Sequence, residues 1–171
     1  MRKNNIILIG MPASGKSTLG KALAKKLGWK FVDTDKLIRK SQGGKSLKEI
    51  IDQVGNEEFL KIEDEINTNV NGEFQVISPG GSVIFCKNAM KHYKEIGIVI
   101  YLKINYYLLS ERLKDPIARG VVLKKGQTIK DIYKVRKPYF EKYADYIFKV
   151  KRRPIKVSIE RLCKIIKSEL V

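Results

Sequence analysis

The chain has 171 residues, 43% of them hydrophobic, and carries 35 Lys plus Arg against 18 Asp plus Glu, a formal net charge of +17. That length fits a single domain, residues 1–171, with enough chain to bury a real core. No apolar run is long enough to cross a bilayer, and the four apolar residues between the basic "MRKNN" and Gly10 are too few for a signal-peptide core, so no membrane partner is expected and the cytoplasm is the default location.

From the N-terminus, short apolar runs alternate with amphipathic stretches. Asn5 to Ile9 reads as a first strand, and "KSTLGKALAKKL" as a helix stopped by Gly28. "WKFVD" is a second strand. "SLKEIIDQVG" and "EEFLKIEDEINTNV" are helices separated at Gly55. "FQVIS" is a third strand before the turn "PGG", "IGIVIYL" a fourth and "YIFKV" a fifth. "SIERLCKIIKSEL" closes the chain as a helix, with Ser158 as its expected N-cap. Such alternation predicts an α/β fold with a parallel sheet covered on both faces, and ligands beyond the carboxyl ends of its strands.

The informative residues stand where that rule puts them. "GMPASGKS" follows the first strand, "DTD" the second and "SPGGS" the third. The first matches G-x-x-x-x-G-K-[ST] as Gly10, Gly15, Lys16 and Ser17, with a strand before and a helix after. Backbone N–H groups in such a loop turn inward around phosphate oxygens, and the helix N-terminus adds its positive dipole end. Lys16 is expected to bridge the terminal phosphates of a nucleoside triphosphate, and Ser17 to ligate Mg²⁺. Asp33 and Asp35, two apart on what reads as an extended segment, point to the same side, where they can serve Mg²⁺ and a substrate hydroxyl; a pair of solvated loop aspartates or a helix N-cap are the other readings. Cys86 and Cys163 fit no metal or redox spacing and are expected to be reduced, buried thiols. His92 reads as a surface residue of a helix without a catalytic partner.

With these residues in view the chain resembles the shikimate kinase family, nearly end to end. The resemblance rests on "GMPASGKSTLGKALAKKLG", "FVDTDKLI", Gly55-Asn56 with Phe59 and Glu63, "SPGGSVI", Arg119 and "RKPYFEKYAD". It implies a three-layer P-loop kinase fold, a five-stranded parallel sheet flanked by helices, with a mobile lid at approximately 112–128. It implies ATP and Mg²⁺ as cofactors and phosphoryl transfer to a hydroxyl of a small metabolite, shikimate foremost. By the same resemblance Lys16, Asp35 and Arg119 are catalytic. Gly10, Met11, Pro12, Ala13, Ser14, Gly15, Lys16, Ser17 and Thr18 bind the nucleotide, together with Arg112, Arg119 and Arg153. Asp35, Gly80, Gly81 and Arg136 bind the acceptor, and Ser17 and Asp33 hold the metal. "LKKGQTIKD" suits the hinge of the lid. The usual monomer is implied as well.

Three positions depart from the family pattern. Where the family carries Phe-Arg, with the arginine on the substrate carboxylate, this chain has Phe59-Leu60. Ser82 replaces the third glycine of the turn. "RGVVL" replaces an arginine-proline-leucine-leucine run in the lid. Lys61 lies about 100° around the helix from position 60 and offers a point charge rather than a planar fork. The acceptor is therefore shikimate, or a different hydroxylated metabolite with an apolar part facing Leu60. A nucleoside monophosphate kinase shares the loop but not the "DTD" and "PGG" features. A non-catalytic nucleotide- or nucleic-acid-binding protein is supported only by the +17 charge. That charge attracts any anion, and lysine is spread along the chain with no RNA-binding aromatic signature, so nucleic acid is not the expected partner.

Overall fold

Asn5–Ile9 is five consecutive buried residues, and that uniform burial is what a strand needs when helices cover it on both faces. In the computed structural model, which describes residues 3–113, 121 and 126–167, this segment is β1. It lies at the centre of a sheet with β2 (Lys30–Asp33), β3 (Gln75–Ser78), β4 (Gly97–Lys103) and β5 (Tyr146–Lys149), in the order β2-β3-β1-β4-β5. Every pairing is parallel. β3 is buried throughout and β4 in all but its last residue, like β1, whereas the edge strands β2 and β5 each bury a single residue, Val32 and Phe148. The sequence patterning thus records each strand's place in the sheet.

The helices are α1 (Lys16–Leu27), α2 (Thr34–Ser41), α3 (Leu47–Thr68), α4 (Lys87–Ile96), α5 (Tyr106–Arg112), α6 (Ile129–Tyr143) and α7 (Ile155–Lys167), with a short 3₁₀ turn at Val83–Phe85. α1 packs on α7, and α3 on α2 and α4, which gives the three layers expected. Among the described residues no helix is long and apolar enough to cross a membrane.

Several expectations are met closely and others are corrected. α1 has the predicted bounds and ends at Gly28 in the left-handed region. α3 runs through Gly55, but Gly55 itself is non-helical (φ 83°, ψ 167°), so the break falls where a residue without Cβ permits it. Ser158 is not an N-cap. It is buried inside α7, which begins three residues earlier at Ile155, and its N–H donates to Pro154 O. The segment after β2 is not extended either, because α2 starts at Thr34 with Asp33 as its N-cap. Cys86 is buried while Cys163 is only half-buried, and both are free thiols. His92 is half-buried on α4, with Nε2 2.8 Å from Val70 O. Thr128 and Asp131 of the expected hinge form the capping box that starts α6. Residues 114–120 and 122–125 of the expected lid, Arg119 among them, lie outside the described residues.

Candidate active site

Because the strands are parallel, the segments following β1, β2 and β3 emerge at one edge of the sheet. There they enclose a cavity of about 690 Å³. That size suits a small-molecule site. The cavity reaches from Pro12, Lys16 and Ser17 at one end to Asp35, Glu63, Gly80 and Arg136 at the other.

The phosphate end is built by backbone geometry. Ala13 (φ 61°) and Gly15 (φ 99°) stand in the left-handed region, and α1 begins directly after Gly15 without a side-chain cap. The free N–H groups of the first turn of α1 are thus left for an anion. Lys16 Nζ donates to Gly10 O at 2.8 Å and Met11 O at 3.0 Å, folding over its own loop. Burial lowers the pKa of this ammonium to about 8, against the opposing pull of Asp35. A phosphate would supply the negative partner it lacks. Ser14 is fully buried and its Oγ has no hydrogen-bond partner, a polar atom left unmatched in the same loop. Arg112, at the end of α5, donates from Nη1 to Ser14 O at 3.4 Å and Ala13 O at 3.5 Å, so it rests against the outside of the loop. Ser17 and Thr18 are at the start of α1, Ser17 on the cavity wall. Arg153 lies in the segment between β5 and α7 and is not among the residues lining the cavity.

The acceptor end is built by α2, α3, the glycine turn and α6. Asp35 lies in the first turn of α2, where burial raises its pKa and Lys16 opposes the rise. Asp33 does not share its position. The Asp33 carboxylate accepts from Lys36 N at 3.4 Å as the cap of α2, and Asp33 is not among the cavity-lining residues. The two aspartates are set apart by a helix start rather than aligned on a strand. Gly80 shows why a residue without a side chain stands after Pro79. A Cβ there would sit 2.5 Å from Glu63 Oε1 and 2.9 Å from Asp35 Oδ1. Arg136 is carried by α6, which is fixed to β4 by Phe140 stacked on Tyr101 (centroids 5.0 Å) and by Tyr133 OH donating to Ile104 O at 2.9 Å. The Arg136 guanidinium stands over the ring of Phe85 at 5.9 Å.

Glu63 was part of the sequence pattern but not among the expected binding residues, and the structure puts it at the centre of this end. It is 1% exposed. Ser82 Oγ donates to its Oε2 at 2.6 Å, and its Oε1 has no hydrogen-bond partner. Burial pushes its pKa up to about 7, with the Ser82 hydroxyl bond opposing the rise. The signal was present in the sequence. Glu63 stands four residues from both Phe59 and Asn67, so it shares the core-facing stripe of α3. Leu60 is half-buried and lines the cavity, while Lys61 is exposed and paired with Glu58 at 2.9 Å, so it does not stand in for an arginine at position 60.

The family model for shikimate kinase matches residues 12–167. The chain belongs to the shikimate kinase family. It is 37% identical over 162 residues to the shikimate kinase of Sulfurihydrogenibium sp., covering 94% of this chain and 97% of that one. It is also 37% identical over 142 residues to threonine synthase-like 1 of Macaca fascicularis, where the match covers 82% of this chain but 19% of that longer protein. Among solved structures, shikimate kinase from Acinetobacter baumannii in complex with shikimate superposes with a TM-score of 0.87 at 26% identity, covering 96% of this chain and 93% of that one. As a member of the shikimate kinase family the chain is an ATP-dependent kinase that uses Mg²⁺. The residues present fit that ion. Among the described residues no group of three or more His, Cys, Asp or Glu is placed to hold a metal. Magnesium on a nucleotide takes most of its ligands from phosphates and water and needs only one or two from protein. Ser17, beside the loop on the cavity wall, could supply one such oxygen.

Proposed function

We propose that the cavity is the site at which the chain phosphorylates a hydroxyl of shikimate from ATP, with the roles of its residues assigned as follows. The observation that carries the reading is one cavity with a phosphate loop at one end and Asp35 and Arg136 at the other. The loop from Gly10 to Thr18 and the N-terminus of α1 bind the triphosphate. Lys16 turns from its own carbonyls to the transferring phosphoryl oxygens. Asp35 accepts the hydrogen bond of the acceptor hydroxyl, aims its oxygen at the γ-phosphorus and takes its proton as the new O–P bond forms and the bond from phosphorus to the bridging oxygen of the departing ADP breaks. Gly80 and Gly81 let the acceptor approach the backbone, and Arg136 pairs with its carboxylate. Positioning and charge neutralisation of this kind supply most of what phosphoryl transfer requires. Ser17 would hold the magnesium in part, with Asp33 assigned to support it on the resemblance, and the ion would neutralise charge on the phosphates. Arg112, which donates to the carbonyls of the loop, is assigned to the nucleotide side, and Arg153 is assigned there on the resemblance alone. Arg119, outside the described residues, is assigned to the phosphates on the resemblance alone. All these groups come from one chain, so the reading needs no partner subunit and fits a monomer.

A second reading keeps the reaction and changes the acceptor. Among the described residues lining the cavity, Lys16 and Arg136 are the cations, and Leu60 presents an aliphatic surface. One charge-assisted carboxylate pair fewer weakens binding by about 1.5–3 kcal/mol. A hydroxylated metabolite with an apolar edge would suit that wall. Purified protein assayed for acceptor-dependent ADP release, with shikimate, other hydroxylated carboxylates and nucleoside monophosphates as acceptors, separates these readings.

A further inference from the structure

Two departures that are 22 positions apart in sequence flank one buried acid: Ser82 bonds the Glu63 carboxylate, and Leu60 stands three positions before Glu63 on α3. Leu60 and Glu63 are one turn apart on the same face of α3. A cation at position 60 would be the natural partner of this buried acid, and the chain has a leucine there. Ser82 is the first residue after the glycine turn, and its Oγ donates to Glu63 Oε2 at 2.6 Å. Cys86 closes the same corner, with Sγ 3.6 Å from Leu60 O and 3.9 Å from Glu63 Oε2. Glu63 Oε1 faces the point where a Gly80 Cβ would be, beside Asp35. A buried carboxylate left without a donor is destabilising, so a hydroxyl in this place is a structural requirement rather than an ornament of the turn.

We propose that Leu60 and Ser82 are a coupled exchange that sets acceptor recognition in this chain: the Ser82 hydroxyl, in place of a cation on α3, holds Glu63 against the Gly80–Gly81 turn, and the acceptor carboxylate is left to Arg136 alone. Ser82 and Glu63 are positioning residues. The proposal rests on the reading of the cavity as the acceptor site and says how that site discriminates.

The exchange has a consequence for pH. The groups around Glu63 are Ser82 and Gly80 of the turn, Cys86 and Tyr93 at α4, Asp64 and Asn67 on α3, Asp35 on α2, Lys16 on α1 and Arg136 on α6. With no cation at position 60, the ionised Glu63 draws on Arg136, the group that must hold the acceptor. Protonated Glu63 leaves that guanidinium free. Since burial puts the Glu63 pKa at about 7, affinity for a carboxylate acceptor falls as pH rises through that value.

The test is a four-protein cycle: wild type, Ser82→Ala, Leu60→Arg and the double variant, each measured for KM and kcat with shikimate and for thermal unfolding without ligand. Made in the wild type, Ser82→Ala raises KM about fivefold or more, with a smaller change in kcat, and lowers Tm; made on top of Leu60→Arg, its effect shrinks to less than about twofold in KM and to nothing in Tm, because the introduced guanidinium takes over Glu63. Ser82→Thr, which keeps the hydroxyl, rescues the loss. In wild type the KM for shikimate rises between about pH 6 and about pH 8, and Glu63→Gln flattens that profile. Equal effects of Ser82→Ala in both backgrounds overturn the exchange, in KM or in Tm. A pH profile unchanged in Glu63→Gln overturns the role given to its charge. Coupling in Tm with no shikimate turnover in any of the four proteins supports the Ser82–Glu63 corner and strikes the acceptor reading instead.

Discussion

A single methyl added at Gly80 should disable acceptor phosphorylation while leaving the nucleotide in place. Gly80 is not in the left-handed region, so alanine brings no backbone strain, and the whole effect comes from its Cβ. That atom would lie 2.5 Å from Glu63 Oε1 and 2.9 Å from Asp35 Oδ1, while ordinary contact begins at 3.4 Å. The two carboxylates must therefore retreat, by about 0.9 Å and about 0.5 Å, from the positions that face the acceptor. A misplacement of about 1 Å at a reacting group can lower the rate on the order of a hundredfold. Overpacking of this kind also destabilises by about 1–3 kcal/mol. Gly80→Ala is thus expected to lower kcat/KM for the acceptor by about 10- to 100-fold and to lower Tm, with ATP affinity within about twofold of wild type. Steady-state kinetics in both substrates, nucleotide binding by calorimetry and a thermal melt give the three numbers. Acceptor kinetics like those of wild type, combined with weakened ATP binding, would refute the placement of Asp35 and Glu63 on the acceptor side.

Lys16→Ala should abolish phosphoryl transfer and leave the fold intact, read by turnover and circular dichroism; unchanged turnover removes Lys16 from the reaction. Asp35→Asn should lower kcat by about a hundredfold or more while ATP still binds, the size general-base catalysis supplies; a variant that loses ATP affinity and keeps its rate would reverse the roles of Asp33 and Asp35. Gly81→Ala puts a Cβ 3.1 Å from Arg136 Nη1 and 2.9 Å from Pro12 Cδ, so it should act mainly on KM for a carboxylate acceptor, and an effect confined to kcat would contradict the Arg136 assignment. Glu63 has a folded pKa of about 7, above its usual value of 4.5, so the folded state holds the extra proton between those values and stability falls as pH rises across them, by up to about 1.4 kcal/mol per pH unit. Glu63→Gln should accordingly gain Tm relative to wild type at about pH 8 and much less at about pH 5; an equal shift at both would show that Glu63 is ionised throughout.

The strands and the phosphate loop were legible because local rules decide them. β1, β3 and β4 are apolar runs bounded by polar turns, and the loop is a spacing of glycines, lysine and serine whose geometry is fixed by backbone alone. α2 was not legible. "DTDKLIRKS" follows a strand without a break, and Asp33 can end a strand or cap a helix with the same carboxylate; tertiary packing of Ile38 against α3 decides for the helix. Ser158 failed for the opposite reason. A serine before an apolar run has the composition of a cap, but Ile155 already starts the helix and Ser158 turns inward. The nucleotide half of the site was readable because its residues adjoin in sequence. The Ser82–Glu63 bond was not, since a hydroxyl at 82 and a carboxylate at 63 become partners only once α3 lies across the glycine turn. What the sequence offered was two separate oddities, Leu60 and Ser82, and the fold brings them to one corner.

The most direct measurement of the central claim is shikimate-dependent ADP release by the purified wild-type protein with MgATP, with the phosphorylated product identified by mass. The account predicts saturable turnover of shikimate that disappears in Asp35→Asn and in Lys16→Ala. Absence of turnover with shikimate, alongside turnover of another acceptor from the same screen, would contradict it.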